Sequence, residues 1–539
     1  MNKLKCKMNK SVNCFPGIFI LFIFFIFLAG LQNSFAQQWI RIFTNGYTPD
    51  IRSIAETHDK GYLFIENNYQ SNLSWIVKTD INGYKLWDKS IGDKIHYWAS
   101  ANIDQTSDFG YIIGGSTNKY DPSGGGDPSI IKLNPCGEIE WCKVISTPGN
   151  YDYADCVRQT PEGQYVMLTS YSDPGFNNRI QIFKFNLNGD LLWKRNILPP
   201  SGAFEDDGWD ILVLNDGYLV TGECYFPDPG GKGGYERPYY FKTDTAGTVQ
   251  WQLVYGMMNG FHGYTGVYPT IKSSSGSYYN IALHSNYCDT PSLVKCTESG
   301  SESYYQDLYP QACPGGGGPM NFINDTNLVV FVGGTINNQD SSKWSRTDTL
   351  GQERFHKQFS SIWIKKTNSS VITFDKKIVS LSKAGANIYL YKLDQNFEYD
   401  SIYTSHFTYD SLCPYPIVSD TINPDCGLIV DINEPYTNPE SSHMRISPNP
   451  AIDRVVLHFP KYLNIPSGNG NTVAQTIYKQ WKSTTLMVYD VNGRQCIKQN
   501  VSSDLTHLEL DVSSWARGMY FLKLIYENHT VDSQKLILK

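Results

Sequence analysis

Aromatic rings placed beside carboxylates are the main chemistry on offer in this chain. Four segments carry them: His96, Tyr97 and Trp98; then Tyr151 and Tyr153; then Phe204, Asp206, Asp207 and Trp209; then Phe261, His262 and Tyr264. Flat rings stack on the apolar faces of sugars or peptides, and carboxylates accept hydrogen bonds from hydroxyl and amide groups. Tyr97, Trp98, Tyr151, Tyr153, Asp206, Asp207, Trp209, His262 and Tyr264 are therefore the candidate ligand-binding residues. The competing reading is that these rings pack beneath their own loops. No catalytic residue is assigned, because no G-x-S-x-G elbow, H-E-x-x-H pair or phosphate loop occurs. No metal site and no cofactor is expected.

A second chemistry is suggested by KTDINGYKLW (78–87), which resembles a calcium loop. Such a loop needs oxygen ligands at its positions one, three and five, followed by Gly at six. With Gly83 at the sixth place, Lys78 stands where the first ligand must be. Relatives of the stretch begin at Lys132, Lys184, Lys242, Lys295, Arg346 and Lys392, so a cation recurs at that place. A tight turn fits better. Asp or Asn opens it, and Gly83, Gly137, Gly189, Gly247, Gly300 and Gly351 take the positive φ that a right-twisted hairpin needs. Phe397 replaces the glycine in the last copy.

The copies recur about every 46 to 58 residues, within the range of propeller blades. Each is preceded by the same grammar, as in IRSIAET, HDKG, YLFIENN, SWIVKTD, ING and YKLWDKSI: four short strands joined by turns. A four-stranded sheet cannot bury both faces alone, whereas blades stacked around an axis can. The expected fold is all-β: a propeller of about seven blades over residues 37–408, with eight as the alternative, followed by a small immunoglobulin-like β-sandwich. Trp87, Trp141, Trp193 and Trp251 hold one register position and should fill the wedge between blades. Trp39 looks like an outer strand with no blade before it, and should close the ring on the last blade. Connections within and between blades are long on one face only, which is where a rigid scaffold usually carries function.

Lys3, Lys5, Lys7 and Lys10 precede an apolar run from Ile18 to Leu31, and Ser34-Phe35-Ala36 offers a cleavage site, so residues 1–36 read as a signal peptide. An uncleaved anchor is the alternative. The formal net charge of −7 offers no broad basic face, so nucleic acid is not an expected partner. Of 12 cysteines, Cys6 and Cys14 fall in the leader. Export favours disulfides among the rest. Sequence does not fix their connectivity; the near neighbours Cys413 with Cys426, Cys136 with Cys142, and Cys288 with Cys296 are the expected pairs.

After about residue 405 the rhythm stops. Residues 409–443 read as a linker or capping segment, and 444–539 as short strands with alternating apolar residues. This last region contains Ser447-Pro448-Asn449-Pro450, a Tyr489-Asp490 and Asn492-Gly493-Arg494 hairpin, Gly518-Met519-Tyr520-Phe521 and a closing strand to Lys539. These residues resemble the type A C-terminal sorting domain of the Bacteroidetes type IX secretion system. The resemblance implies that Pro448, Asn449, Pro450, Tyr489, Gly493, Gly518, Tyr520 and Lys539 belong to an export signal. It further implies the type IX machinery as partner, and release from the cell or attachment to surface lipopolysaccharide. Residues 461–483 look like an insertion relative to that family.

The expected function is a secreted or surface-displayed binding module for a glycan or a protein. A secreted enzyme acting on polysaccharide, lyase or glycosidase, and a structural envelope component are the alternatives.

Overall fold

The computed structural model describes residues 39–121, 125–146, 151–173, 177–227, 234–255, 270–285, 289–300, 303–308, 315–336, 339–360, 369–430, 444–447, 451–459, 462–465, 475–478, 484–491, 493–502, 507–526 and 529–539. The leader falls outside them. All regular structure in the described residues is strand. The chain divides into two compact units at residues 431 and 432.

In the first unit consecutive strands pair antiparallel into blades: 50–91, 98–146, 153–196, 205–254, 271–307 and 315–360. A further blade combines residues 370–393 with the strand Ile40–Phe43, which lies against Asn387–Leu393. The first strand of each blade is innermost. We number the blades 1 to 7 in that order, and the unit is a β-propeller. Between neighbouring blades lie apolar cores such as Leu63, Ile65, Ile76, Ile113 and Ile131, all 2% exposed or less.

The repeated decapeptide is the third turn of each blade. Asp80 Oδ1 accepts from the Asn82 and Tyr84 amides at 2.9 and 2.8 Å, so its carboxylate serves its own backbone rather than a cation. Gly83 has φ +75°. Lys78, wholly buried, reaches across to Asp59 in the first turn of the same blade at 2.7 Å. Lys132 with Asp108, Lys242 with Asp216 and Lys392 with Asp375 repeat this bracket at 2.9, 2.7 and 3.2 Å. Burial works against the Asp59 charge, but the Lys78 ammonium and hydrogen bonds from Lys78, Thr57 and Gly61 outweigh it and hold the carboxyl below its usual value. Its stabilisation is therefore present above about pH 4 and lost as pH falls through the lower folded value. Removing one partner of so buried a pair costs about 3–5 kcal/mol.

The tryptophan of each motif packs on the glycine of the next. A Cβ on Gly189 would meet the Trp141 ring at 2.6 Å, one on Gly247 would meet Trp193 at 2.9 Å, and one on Gly300 would meet Trp251 at 2.5 Å. Trp141 and Trp251 also donate their indole N–H to the Leu187 and Glu298 carbonyls of the following turn, at 2.9 and 3.2 Å. Trp39, on the strand that completes blade 7, covers Gly83 of blade 1 at 2.8 Å and so continues the pattern across the ring closure. Where Phe397 replaces the glycine, at φ 60°, Phe355 of blade 6 stacks on it at 5.6 Å.

Residues 409–430 form a strap rather than a free linker. Trp87 donates to Asp410, and Ile81 N–H donates to the Tyr409 hydroxyl at 3.0 Å, beneath blade 1. Asp420–Ile422 then pairs parallel with the outer strand of blade 1, and Gly427–Val430 with that of blade 2. The expected local disulfides are corrected: the bonds are Cys136–Cys413 and Cys142–Cys426, spanning 277 and 284 residues of sequence. Cys136 lies in the turn and Cys142 on the outer strand of blade 2, and successive parts of the strap reach each. Cys296 is a buried free thiol, not a disulfide partner of Cys288, which lies outside the described residues. Covalent closure of loops this long stabilises by about 2–4 kcal/mol per bond.

The second unit is a β-sandwich. Arg445–Ser447, Arg454–His458 and His507–Asp511 form one sheet; Gln495–Val501, Thr484–Asp490, Gly518–Tyr526 and His529–Leu538 form the other. Val455, Leu457, Leu486, Val488, Leu522, Leu524 and Leu536 fill the space between, each with no exposed surface. Gly493 turns at φ +78°, the Tyr520 hydroxyl donates to Ala516 O at 2.8 Å, and Lys539 N–H donates to Ala451 O at 2.9 Å. Tyr489 pairs with Phe521 across two strands, and Gly518 opens its strand at φ +139°. Pro448, Asn449 and Pro450 lie outside the described residues. The insertion forms a hairpin of Tyr462–Ile465 and Gln475–Tyr478.

Gly189→Ala and Gly46→Ala separate backbone strain from the packing of tryptophan on glycine. Both positions have positive φ, +75° and +87°, but a Cβ at Gly46 meets nothing within 4 Å. Gly189→Ala should lose about 1–3 kcal/mol more than Gly46→Ala in denaturant unfolding. Equal losses would contradict this packing.

Candidate functional site

The inner strands of blades 1 to 4 line one end of the propeller axis. They are joined by side chains that imitate a strand partner. Ser53 Oγ accepts from Ile103 N–H at 2.9 Å, and Asn102 both accepts from Val157 N–H and donates to Val157 O, at 2.9 and 3.0 Å. Asp210 accepts from the Thr270 amide at 3.1 Å. The axial positions are thereby fixed by hydrogen bonds that use no regular ladder.

At the long-loop end these strands surround a cavity of about 590 Å³. Its outer wall carries Tyr69, Tyr151 and Trp209, which are 57%, 60% and 37% exposed. Lower down, Arg158 ties Asp210 of blade 4 at 3.1 Å and faces Asp104 of blade 2 at 3.7 Å. The Cys156 thiol donates to Asp210 at 3.3 Å, and burial raises its pKa far above that of a reactive thiol. Arg52 is engaged by Asp50 at 2.5 Å and by the Tyr69 hydroxyl at 2.6 Å.

Two carboxyls stand together on the wall, half-buried: Asp155 of blade 3 and Asp207 of blade 4. Ser170 donates to Asp155 at 2.9 Å and also bonds Asp207. Asp207 further accepts from the Tyr153 hydroxyl at 3.1 Å and from Asn178 Nδ2 at 3.3 Å. Enclosure by protein, and then the neighbouring Asp207 charge, push the Asp155 carboxyl well above the usual carboxylate range. Asp207 is raised by the same enclosure, but its donors pull it back. The two differ because Asp207 accepts from Tyr153 and Asn178, whereas Ser170 donates to Asp155.

The structure brings Tyr97, Tyr151, Tyr153, Asp207 and Trp209 to the cavity. Two candidates do not reach it. Trp98 is 4% exposed and belongs to the core between blades 1 and 2, because its strand turns the ring inward. Asp206, next to Asp207 on an alternating strand, faces the opposite way and is wholly buried, 3.5 Å from Arg179. His262 and Tyr264 lie outside the described residues. Sequence reasoning missed Arg52, Tyr69, Asp155 and Asp210. The signal was available for the last two, since each sits on an innermost strand two or three residues from a candidate already chosen.

Residues 445–539 match the family described as the secretion system C-terminal sorting domain. No curated protein matches the chain. Among solved structures, an ulvan lyase of polysaccharide lyase family PL25 is similar at 11% identity, covering 66% of this chain and 96% of that one, with a TM-score of 0.46. The propeller domain of the trilobed protease of Pyrococcus furiosus is similar at 8% identity over 65% and 96%, TM-score 0.38. A Penicillium chrysogenum α-L-arabinanase complexed with arabinobiose is similar at 11% identity over 57% and 98%, TM-score 0.37. Similarities this remote carry no information about ligand or reaction.

Burial, opposed in part by Arg179, pushes Asp206 up to about 8. A carboxyl raised on folding stabilises below its unfolded pKa, and that contribution is lost as pH rises through the folded value. Asp206→Asn should therefore gain stability relative to the parent as pH goes from about 5 to about 9, read as the difference in melting temperature. A difference independent of pH would contradict a neutral, buried Asp206.

Proposed function

We propose that this type IX secretion cargo, exported to the cell surface or released, binds a neutral glycan in the axial cavity of its propeller. The observation that carries the reading is the wall itself: three exposed rings above carboxyl, hydroxyl and amide groups in a recess of about 590 Å³, within the size range of small-ligand sites. Rings of this kind pack on the C–H faces of a sugar, while Asp207 and Tyr153 can exchange hydrogen bonds with its hydroxyls. Charge favours a neutral ligand. The guanidinium groups of Arg52 and Arg158 are ion-paired with Asp50 and Asp210, which offsets their charge. A recess suits an oligosaccharide better than the flatter surface of a folded protein.

The sorting domain addresses the chain to the type IX machinery; attachment to surface lipopolysaccharide is part of the same proposal. Removing residues 444–539 should leave the protein in the periplasm, read by surface protease accessibility. Unchanged surface delivery would contradict that role.

A glycan array probed with the mature chain tests the cavity. It should capture neutral oligosaccharides, and Trp209→Ala or Tyr151→Ala should each weaken capture by about tenfold or more, the equivalent of about 1.4 kcal/mol. Capture of acidic polysaccharides alone, or capture unaffected by either variant, would reject the reading.

A further inference from the structure

The cavity holds more than a binding surface needs. Stacking and hydroxyl recognition account for the rings, the amides and one carboxylate. They do not account for a second carboxyl set against the first in an enclosed wall, where like charges oppose each other. Asp155 and Asp207 come from different blades and share the Ser170 hydroxyl, so their oxygens lie within two hydrogen-bond lengths of one another. Gly208 N–H also donates to Ser170 Oγ, at 3.3 Å, fixing the bridge to the inner strand of blade 4. Arg52 offsets part of this repulsion at Asp155 while itself ion-paired with Asp50.

We propose that Asp155 and Asp207 are the general acid/base and the nucleophile of a glycoside hydrolase site, an inference that rests on glycan binding in this cavity. Their surroundings divide the roles. Asp207 accepts from Tyr153 and Asn178, which favour its carboxylate form over that of Asp155. Asp155, enclosed and next to that charge, is pushed toward its protonated form. Two carboxyls whose environments separate their protonation states are the usual arrangement for acid and base catalysis on one bond.

The step balances with water as the only co-reactant. Asp155 gives its proton to the glycosidic oxygen as the bond from that oxygen to the anomeric carbon breaks. An Asp207 oxygen bonds to the anomeric carbon from the opposite face, the course that carboxyls this close favour. Water then displaces Asp207 from that carbon and gives a proton to Asp155. One water is consumed, two shorter sugars leave, and both carboxyls return to their starting states. Ser170 is a positioning residue that holds both carboxyls.

The test incubates the mature full chain with the neutral oligosaccharides it captures on the array and measures new reducing ends by chromatography. The expected result is cleavage with a bell-shaped pH dependence, reduced about 100-fold or more in Asp155→Asn and in Asp207→Asn. Ser170→Ala should keep measurable turnover with a displaced pH profile. Parent protein that captures a glycan and leaves every bond intact overturns the inference while leaving the binding reading in place. Cleavage undiminished in both Asn variants also overturns it. Failure to capture any neutral glycan overturns the binding reading beneath it.

Discussion

The contact on which the propeller depends is a tryptophan of one blade lying on the turn glycine of the next. A blade alone leaves both sheet faces wet, so stability comes from the seams. A ring of indole size fits at a seam only if the facing residue has no Cβ, and the hairpin turn at that place already requires a positive φ. One glycine therefore meets two demands, which is why the motif persists in copies that otherwise diverge. The lysine at the start of the motif meets a third demand by bracketing the two tight turns of its own blade through a carboxylate, buried at Asp59 and exposed at Asp216.

Much of this was legible in the sequence because it is local and periodic. The turn, the position of the aromatic and the missing calcium ligand could each be read from ten residues. The place of the Trp39 strand on the last blade followed from its isolated position, whereas its cover over Gly83 did not. What could not be read was long-range. The cysteine pairs join the end of the propeller unit to blade 2 across more than 270 residues, and nothing in local spacing indicates that the strap runs that way. Side-chain direction was the other failure. Trp98 and Asp206 sit one residue from true cavity residues, and in a strand one residue reverses the face.

The cavity is not central to the ring in its chemistry. It draws on blades 1 to 4, and the strap and both disulfides reinforce blades 1 and 2 of that same arc. Outside a cell, where no chaperone can rebuild a site, covalent closure onto the outer part of blade 2 helps to hold that blade in place. The buried side-chain bridges Asn102–Val157 and Asp210–Thr270 do the same from within. An axial site built this way is pre-formed, and binding there should need little rearrangement.

Hydrogen–deuterium exchange on the full mature chain, with and without a captured neutral oligosaccharide, tests the central claim of an axial glycan site most directly. Protection should concentrate in the inner strands Trp98–Gln105, Tyr153–Gln159 and Glu205–Leu214 and leave the sandwich unchanged. Protection confined to the outer strands, or to residues 444–539, would contradict it.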